Sequence, residues 1–203
     1  MAPLKNPTEI VGDRVKLPFT FDVEQMQQEY KKLTLRNFIY YDVLQLRGPA
    51  HIIDPSLPIP PPADDYADGS WTDWLNSPTL NSSPYFTGIV DKFRELTDVT
   101  LVRLLRLEPG AVVKEHTDPT LGLQIEKSVI RLTIPIINEP GVEFILNGDL
   151  VPMVPGECWY LRLTDPHRVL NNSNKERVNM SIDMIPNDAI KAIIMESHEA
   201  MSA

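Results

Sequence analysis

The chain has 203 residues, 42% of them hydrophobic, and 19 Lys+Arg against 28 Asp+Glu give a formal net charge of −9. That length can bury one sizeable core, and the single cysteine, Cys158, excludes an intramolecular disulfide and gives no sign of an oxidising compartment. No basic run exceeds Lys31-Lys32, the start lacks an apolar leader, and no apolar run approaches the roughly 20 residues that span a bilayer. Nucleic-acid binding and membrane insertion are therefore disfavoured, and a soluble, cytoplasmic protein is expected.

Along the chain, residues 22–33 (DVEQMQQEYKKL) place Val23, Met26, Tyr30 and Leu33 at near-helical spacing behind Asp22, a competent N-cap. A strand is expected at 39–46 (IYYDVLQL). Residues 47–83 are Pro-rich and irregular. A polyproline ligand and a loop covering the core are both open, with the loop favoured because Trp71 and Trp74 call for burial. Residues 84–96 (PYFTGIVDKFREL) predict a second helix.

From residue 100 the texture changes to short apolar runs punctuated by turn residues: TLVRLLRL, VVKEHTD, SVIRLTIPII, VEFIL, LVPMV, CWYLRL, HRVL and RVNMSIDM. Eight such strands at close spacing indicate a sandwich or barrel, with Asn147-Gly148 as the clearest hairpin, and a double-sheet jelly roll fits best. The tail, PNDAIKAIIMESHEAMSA, returns to helical character. The expected organisation is one mainly-β domain: an N-terminal helical and loop elaboration (1–99), a β core (100–185) and a C-terminal helix (186–203).

The chemistry-bearing residues begin with KEHTDPTLG at 114–122. Residues i and i+2 of a strand share a face, so His116 and Asp118 point together, as adjacent metal ligands would. By itself the pair is cheap, since composition supplies about 0.3 such pairs by chance. Its weight grows with TDPHRVLNNSNKERVNMSIDM, where His167 opens one strand and Arg177 opens the last. In that last strand Arg177, Asn179, Ser181 and Asp183 share one face and Val178, Met180, Ile182 and Met184 the other. SVIRLTIPI splits the same way, with Arg131 and Thr133 opposed to Ile130, Leu132, Ile134 and Ile136. A solvated outer sheet face would produce this pattern, but two strands each carrying an arginine and a hydroxyl are better explained by a polar barrel interior. A His, an Asp and a distant His suit non-haem Fe(II), because two imidazoles and a carboxylate on one face of an octahedron leave three positions open. A nearby arginine would answer an organic acid's carboxylate, and Arg177 is the first choice.

The segments HTD, IRLTIPI and PHRVLNNSNKERVNMSID together resemble the aspartyl/asparaginyl β-hydroxylase family of Fe(II)- and 2-oxoglutarate-dependent oxygenases, over roughly residues 100–185. The resemblance implies a double-stranded β-helix (cupin-like) fold, with His116, Asp118 and His167 as iron ligands. It also implies that Arg177 binds the distal carboxylate of 2-oxoglutarate, that Arg131 lies near the cosubstrate and that Ser181 is a further cosubstrate-binding residue, with O2 as the other cosubstrate. Animal members lack the carboxylate ligand, so Asp118 makes the chain more similar to the bacterial free-amino-acid hydroxylases, such as the proline hydroxylases. It also favours hydroxylation over halogenation, since related halogenases free a site for halide by losing that ligand. Where some members carry Arg-x-His, this chain has Arg131-Leu132-Thr133.

The expected activity is hydroxylation of an unactivated carbon of a free amino acid or similar small molecule. A residue of a peptide or protein as substrate, and a cupin-like binding protein without turnover, are the alternatives. Arg103 and Arg106 have opposite parity on their strand, so at most one is expected to point inward. Asn171 and Asn172 either brace the turn before Arg177 or orient His167; bracing is preferred. His51, Cys158 and His198 are read as structural or surface residues.

Overall fold

The computed structural model describes residues 11–33, 43–61, 69–123 and 128–202, so the strand expected at 39–46 and the Pro-rich stretch lie partly outside the described residues. Strand β1 (Arg14–Thr20) leads into helix α1 (Val23–Leu33), followed by β2 (Val43–Pro49), the single turn α2 (Ala50–Ile53), β3 (Trp74–Asn76), the short α3 (Pro78–Asn81) and α4 (Pro84–Arg94). Eight strands come next: β4 (Val99–Leu107), β5 (Val112–His116), β6 (Ile130–Ile137), β7 (Val142–Leu146), β8 (Asp149–Leu150), β9 (Glu157–Leu161), β10 (His167–Asn171) and β11 (Arg177–Met184). Helix α5 (Asp188–Ser202) closes the chain.

The strands form two antiparallel sheets, one of seven in the order β1-β9-β6-β11-β4-β2-β3 and one of four in the order β5-β10-β7-β8. Facing each other, they make the double-stranded β-helix. Strand β11 lies at the centre of the larger sheet between β4 and β6, and all eight of its residues are buried. Its outward side chains, Val178, Met180, Ile182 and Met184, belong to one apolar cluster with Met26 and Tyr30 of α1 and Phe86, Val90 and Phe93 of α4. Each such side chain contributes about 1.5–3 kcal/mol when fully buried. A second cluster, including Leu107, Phe144, Trp159, Leu161 and Val169, joins residues of both sheets.

Local chemistry explains the boundaries. The Asp22 carboxylate accepts from the Gln25 N–H at 3.0 Å and caps α1. Asn147 and Gly148 both take positive φ, 53° and 85°, as a tight two-residue hairpin between β7 and β8 requires. The run LVPMV does not extend as a strand beyond Leu150, because Pro152 and Pro155 remove ladder donors, and Val151 and Met153 instead turn into the second cluster. The segment before residue 100 is more than helix and loop, since it supplies three of the seven strands. Strand β1 escaped the sequence reading because Pro18 interrupts its pattern; its register against β9 shifts between Leu17 and Thr20. No described helix is long and apolar enough to cross a membrane.

Candidate metal centre

His116 ends β5 and His167 begins β10, and the two sit directly opposite each other in the antiparallel pair. That register brings their ring centroids to 4.3 Å. Asp118 follows on the loop beyond β5, pinned by its backbone N–H donating to the Leu163 carbonyl at 2.8 Å. Its Oδ2 lies 4.0 Å from His167 Nε2. One ligand atom from each of His116, Asp118 and His167 lies within 4.8 Å of the others, close enough for one cation to meet all three.

Backbone carbonyls fix both rings. His116 Nδ1 is 2.8 Å from the Lys114 carbonyl and His167 Nδ1 is 2.9 Å from the Asp165 carbonyl. A carbonyl only accepts, so each Nδ1 carries the proton and each Nε2 keeps its lone pair for a metal. The Phe144 ring stacks on His167 at 5.8 Å. Burial lowers the pKa of His167 from the ordinary histidine value, against the raising effect of the Asp165 carbonyl, which keeps the ring neutral as ligation demands.

The polar face of β11 is interior. Arg177, Asn179, Ser181 and Asp183 are 6%, 2%, 0% and 4% exposed. Arg177, Asn179 and Thr133 line a cavity of about 270 Å³ together with His116, Asp118, His167 and Arg131. Burial alone pushes the Arg177 guanidinium down to about 10, with no carboxylate offsetting it. Arg177 has no ion pair or side-chain hydrogen bond among the described residues. A buried cation without a counter-charge is costly, and an anion entering the cavity would relieve that cost. Asn179 Oδ1 and Ser181 Oγ are likewise buried without a hydrogen-bond partner among the described residues. Contrary to the cosubstrate-binding role expected of it, Ser181 is fully covered and does not border the cavity, its short side chain lying beneath the lining.

Arg131 bridges two carboxylates. Its Nε and Nη2 donate to Asp183 at 2.6 and 2.8 Å, and its Nη1 donates to Asp118 Oδ2 at 3.3 Å. The bidentate pair follows from register, since Arg131 of β6 and Asp183 of β11 are cross-strand partners. Asp183 is the site residue to which sequence reasoning gave no role; alternation put it on the inner face, but its partner depends on strand pairing. Arg103 and Arg106 both border the cavity, contrary to the parity argument, because a long side chain near the end of β4 can reach round. Arg106 also pairs with Glu108 at 3.2 Å and Glu176 at 3.5 Å. Asn171 braces the turn before Arg177: its Nδ2 donates to the Leu107 and Lys175 carbonyls at 2.9 and 2.8 Å, and its Oδ1 accepts from Ser173.

Among solved structures, the chain superposes with a TM-score of 0.53 on a 2OG-Fe(II) oxygenase family oxidoreductase from Burkholderia pseudomallei, at 14% identity over 88% of this chain and 87% of that one. It superposes at 0.52 on the non-heme monooxygenase ThoJ in its apo form, at 12% identity over 88% and 76%. These likenesses establish the fold alone. No curated protein sequence matches the chain. Residues 70–186 match the model of the aspartyl/asparaginyl beta-hydroxylase family. The chain belongs to that family, and the match begins some thirty residues before the β core, taking in Trp71 and the strand β3 that begins at Trp74.

Proposed function

We propose that the chain is an Fe(II)- and 2-oxoglutarate-dependent hydroxylase of a free amino acid or similar small compound. The donor set fits the metal, because two neutral imidazoles and one carboxylate converge from adjacent strand ends. The observation that carries the reading is Arg177, a buried guanidinium beside those ligands that has no counter-charge among the described residues. It suits the distal carboxylate of 2-oxoglutarate, which a planar fork can meet bidentately. When bound, Fe(II) with a chelating 2-oxo acid supplies the oxidation of an unactivated C–H bond by O2.

The protein's own part is to bind, orient and exclude water. His116 and His167 present Nε2 because their Nδ1 protons are held by backbone carbonyls. Arg131 restrains the Asp118 carboxylate at Oδ2, and Asp183 restrains Arg131. This gives Arg131 a positioning role at the ligand beside its place near the cosubstrate. The Phe144 and Val169 side chains give the cavity an apolar wall, which strengthens the charge pairing within it. Cytoplasmic placement fits the buried, unpaired Cys158 thiol.

The test is succinate formation after anaerobic loading with Fe(II), measured with 2-oxoglutarate and oxygen against free amino acids and short peptides. Succinate release that depends on an amino acid is expected. Release stimulated only by peptides would move the substrate to a chain residue, and a protein that binds Fe(II) and 2-oxoglutarate without any turnover would be a binding protein.

A further inference from the structure

A second cavity, of about 280 Å³, adjoins the first and shares Asp118 and Arg131 with it. The cavities are nearly equal in volume and different in chemistry. The first holds both histidines and Arg177, whereas the second holds none of the three and is walled by Trp71 from the loop before β3, Trp74 at the start of β3, and Pro119 and Leu121 from the loop after Asp118.

The charges bordering this second cavity are committed to one another. Arg131 directs Nε and Nη2 to Asp183 and Nη1 to Asp118. A charged ligand group entering there would lose water without finding an unengaged counter-charge, and the buried Thr100 hydroxyl, which already donates to the Asp183 carbonyl at 3.1 Å, would not serve a carboxamide oxygen. The indoles are oriented as walls. Trp74 Nε1 already donates to the Gly69 carbonyl at 2.8 Å, so Trp74 offers a ligand its apolar surface. Trp71 meets Trp74 edge to face at 5.8 Å, and His51 stands behind Trp71 at 6.0 Å. Gly69 takes φ of +70°, and a Cβ there would meet Thr100 Cγ2 at 2.7 Å, so the loop lies closed against β4.

Resting on the hydroxylase reading above, we propose that the second cavity receives the reacting end of the substrate. That end is an uncharged hydrocarbon group, branched, cyclic or aromatic, rather than a carboxylate or carboxamide. The volume admits one side chain of that size, and the shared Asp118 places the group beside the metal ligands. One oxygen atom of O2 enters the C–H bond as hydroxyl and the other enters succinate as 2-oxoglutarate loses carbon dioxide. The residues that give the family its name would thus not be the preferred targets of this chain.

The experiment is anaerobic calorimetry on the full chain loaded with Zn(II) and 2-oxoglutarate, titrated with free leucine, proline and phenylalanine and with free aspartate, asparagine and lysine. At least one apolar amino acid is expected to bind tenfold or more tighter than all three polar ones. Trp71→Ala and Trp74→Ala should weaken that binding at least tenfold while 2-oxoglutarate affinity stays within twofold. Trp71→Phe and Trp74→Phe, which keep an aromatic wall, should weaken it less and serve where alanine disturbs folding. The proposal is overturned if polar amino acids bind as tightly, if no apolar one binds, or if none of the four variants weakens binding. A wild-type chain that holds neither Zn(II) nor 2-oxoglutarate would overturn the hydroxylase reading, a result distinguishable from failure of the second cavity alone.

Discussion

The two faces of β11 are almost equally buried and do opposite work. Outward, Val178, Met180, Ile182 and Met184 are all 0% exposed and pack beneath α1 and α4; each adds apolar burial and therefore stability. Inward, Arg177, Asn179, Ser181 and Asp183 are 0–6% exposed, yet among the described residues one is an unpaired cation and two carry polar atoms without partners. The outer face accounts for the fold. The inner face costs stability, and at Arg177 and Asn179, which border the cavity, an entering ligand would relieve that cost; this separation makes the two roles experimentally divisible.

Replacement of a ligand should give the largest effect. His116→Ala or Asp118→Ala is expected to lower turnover by about three orders of magnitude or more, as loss of a catalytic group does, while the urea midpoint stays close to that of wild type. Parallel loss of fold would break the division. On the outer face, Ile182→Ala should cost about 2–5 kcal/mol of stability from the cavity it leaves, read by urea unfolding, with Fe(II) affinity unchanged in the folded protein. Asp183→Asn should weaken Fe(II) binding about 10- to 100-fold, the usual cost of losing a group that holds a metal ligand in place. Unaltered metal affinity in that variant would make the Arg131–Asp183 pair structural only.

The smallest effect concerns pH. Arg177, pushed down to about 10 by burial, remains protonated at neutral pH. Because its folded pKa lies below the ordinary arginine range, its burial costs stability below about pH 10 and that cost is relieved as pH rises through this value. 2-Oxoglutarate binding should therefore be level between pH 7 and 9, then decline as the guanidinium loses its proton near pH 10. A decline centred between pH 7 and 9 would assign the anion to another group.

The site was legible where local spacing decides it. His-x-Asp and the alternation in RVNMSIDM need only a period of two, and the distal His as third ligand came from the family resemblance; the structure brings His116, Asp118 and His167 together through the β5–β10 register and buries the polar face. What depends on strand pairing was not legible. The Arg131–Asp183 partnership and the seating of β1 beside β9 join residues far apart in sequence. Arg106 shows the limit of parity, which tracks Cβ direction and not the reach of a guanidinium.

The central claim is that the triad holds the metal while Arg177 separately holds the acid. Anaerobic calorimetry on wild type and Arg177→Met, titrating Fe(II) first and 2-oxoglutarate second, tests it most directly. The account predicts unchanged Fe(II) affinity, 2-oxoglutarate affinity reduced about 100-fold in line with loss of a buried bidentate ion pair, and stability equal to or above wild type. Equal weakening of metal and acid, or full retention of 2-oxoglutarate binding, would contradict it.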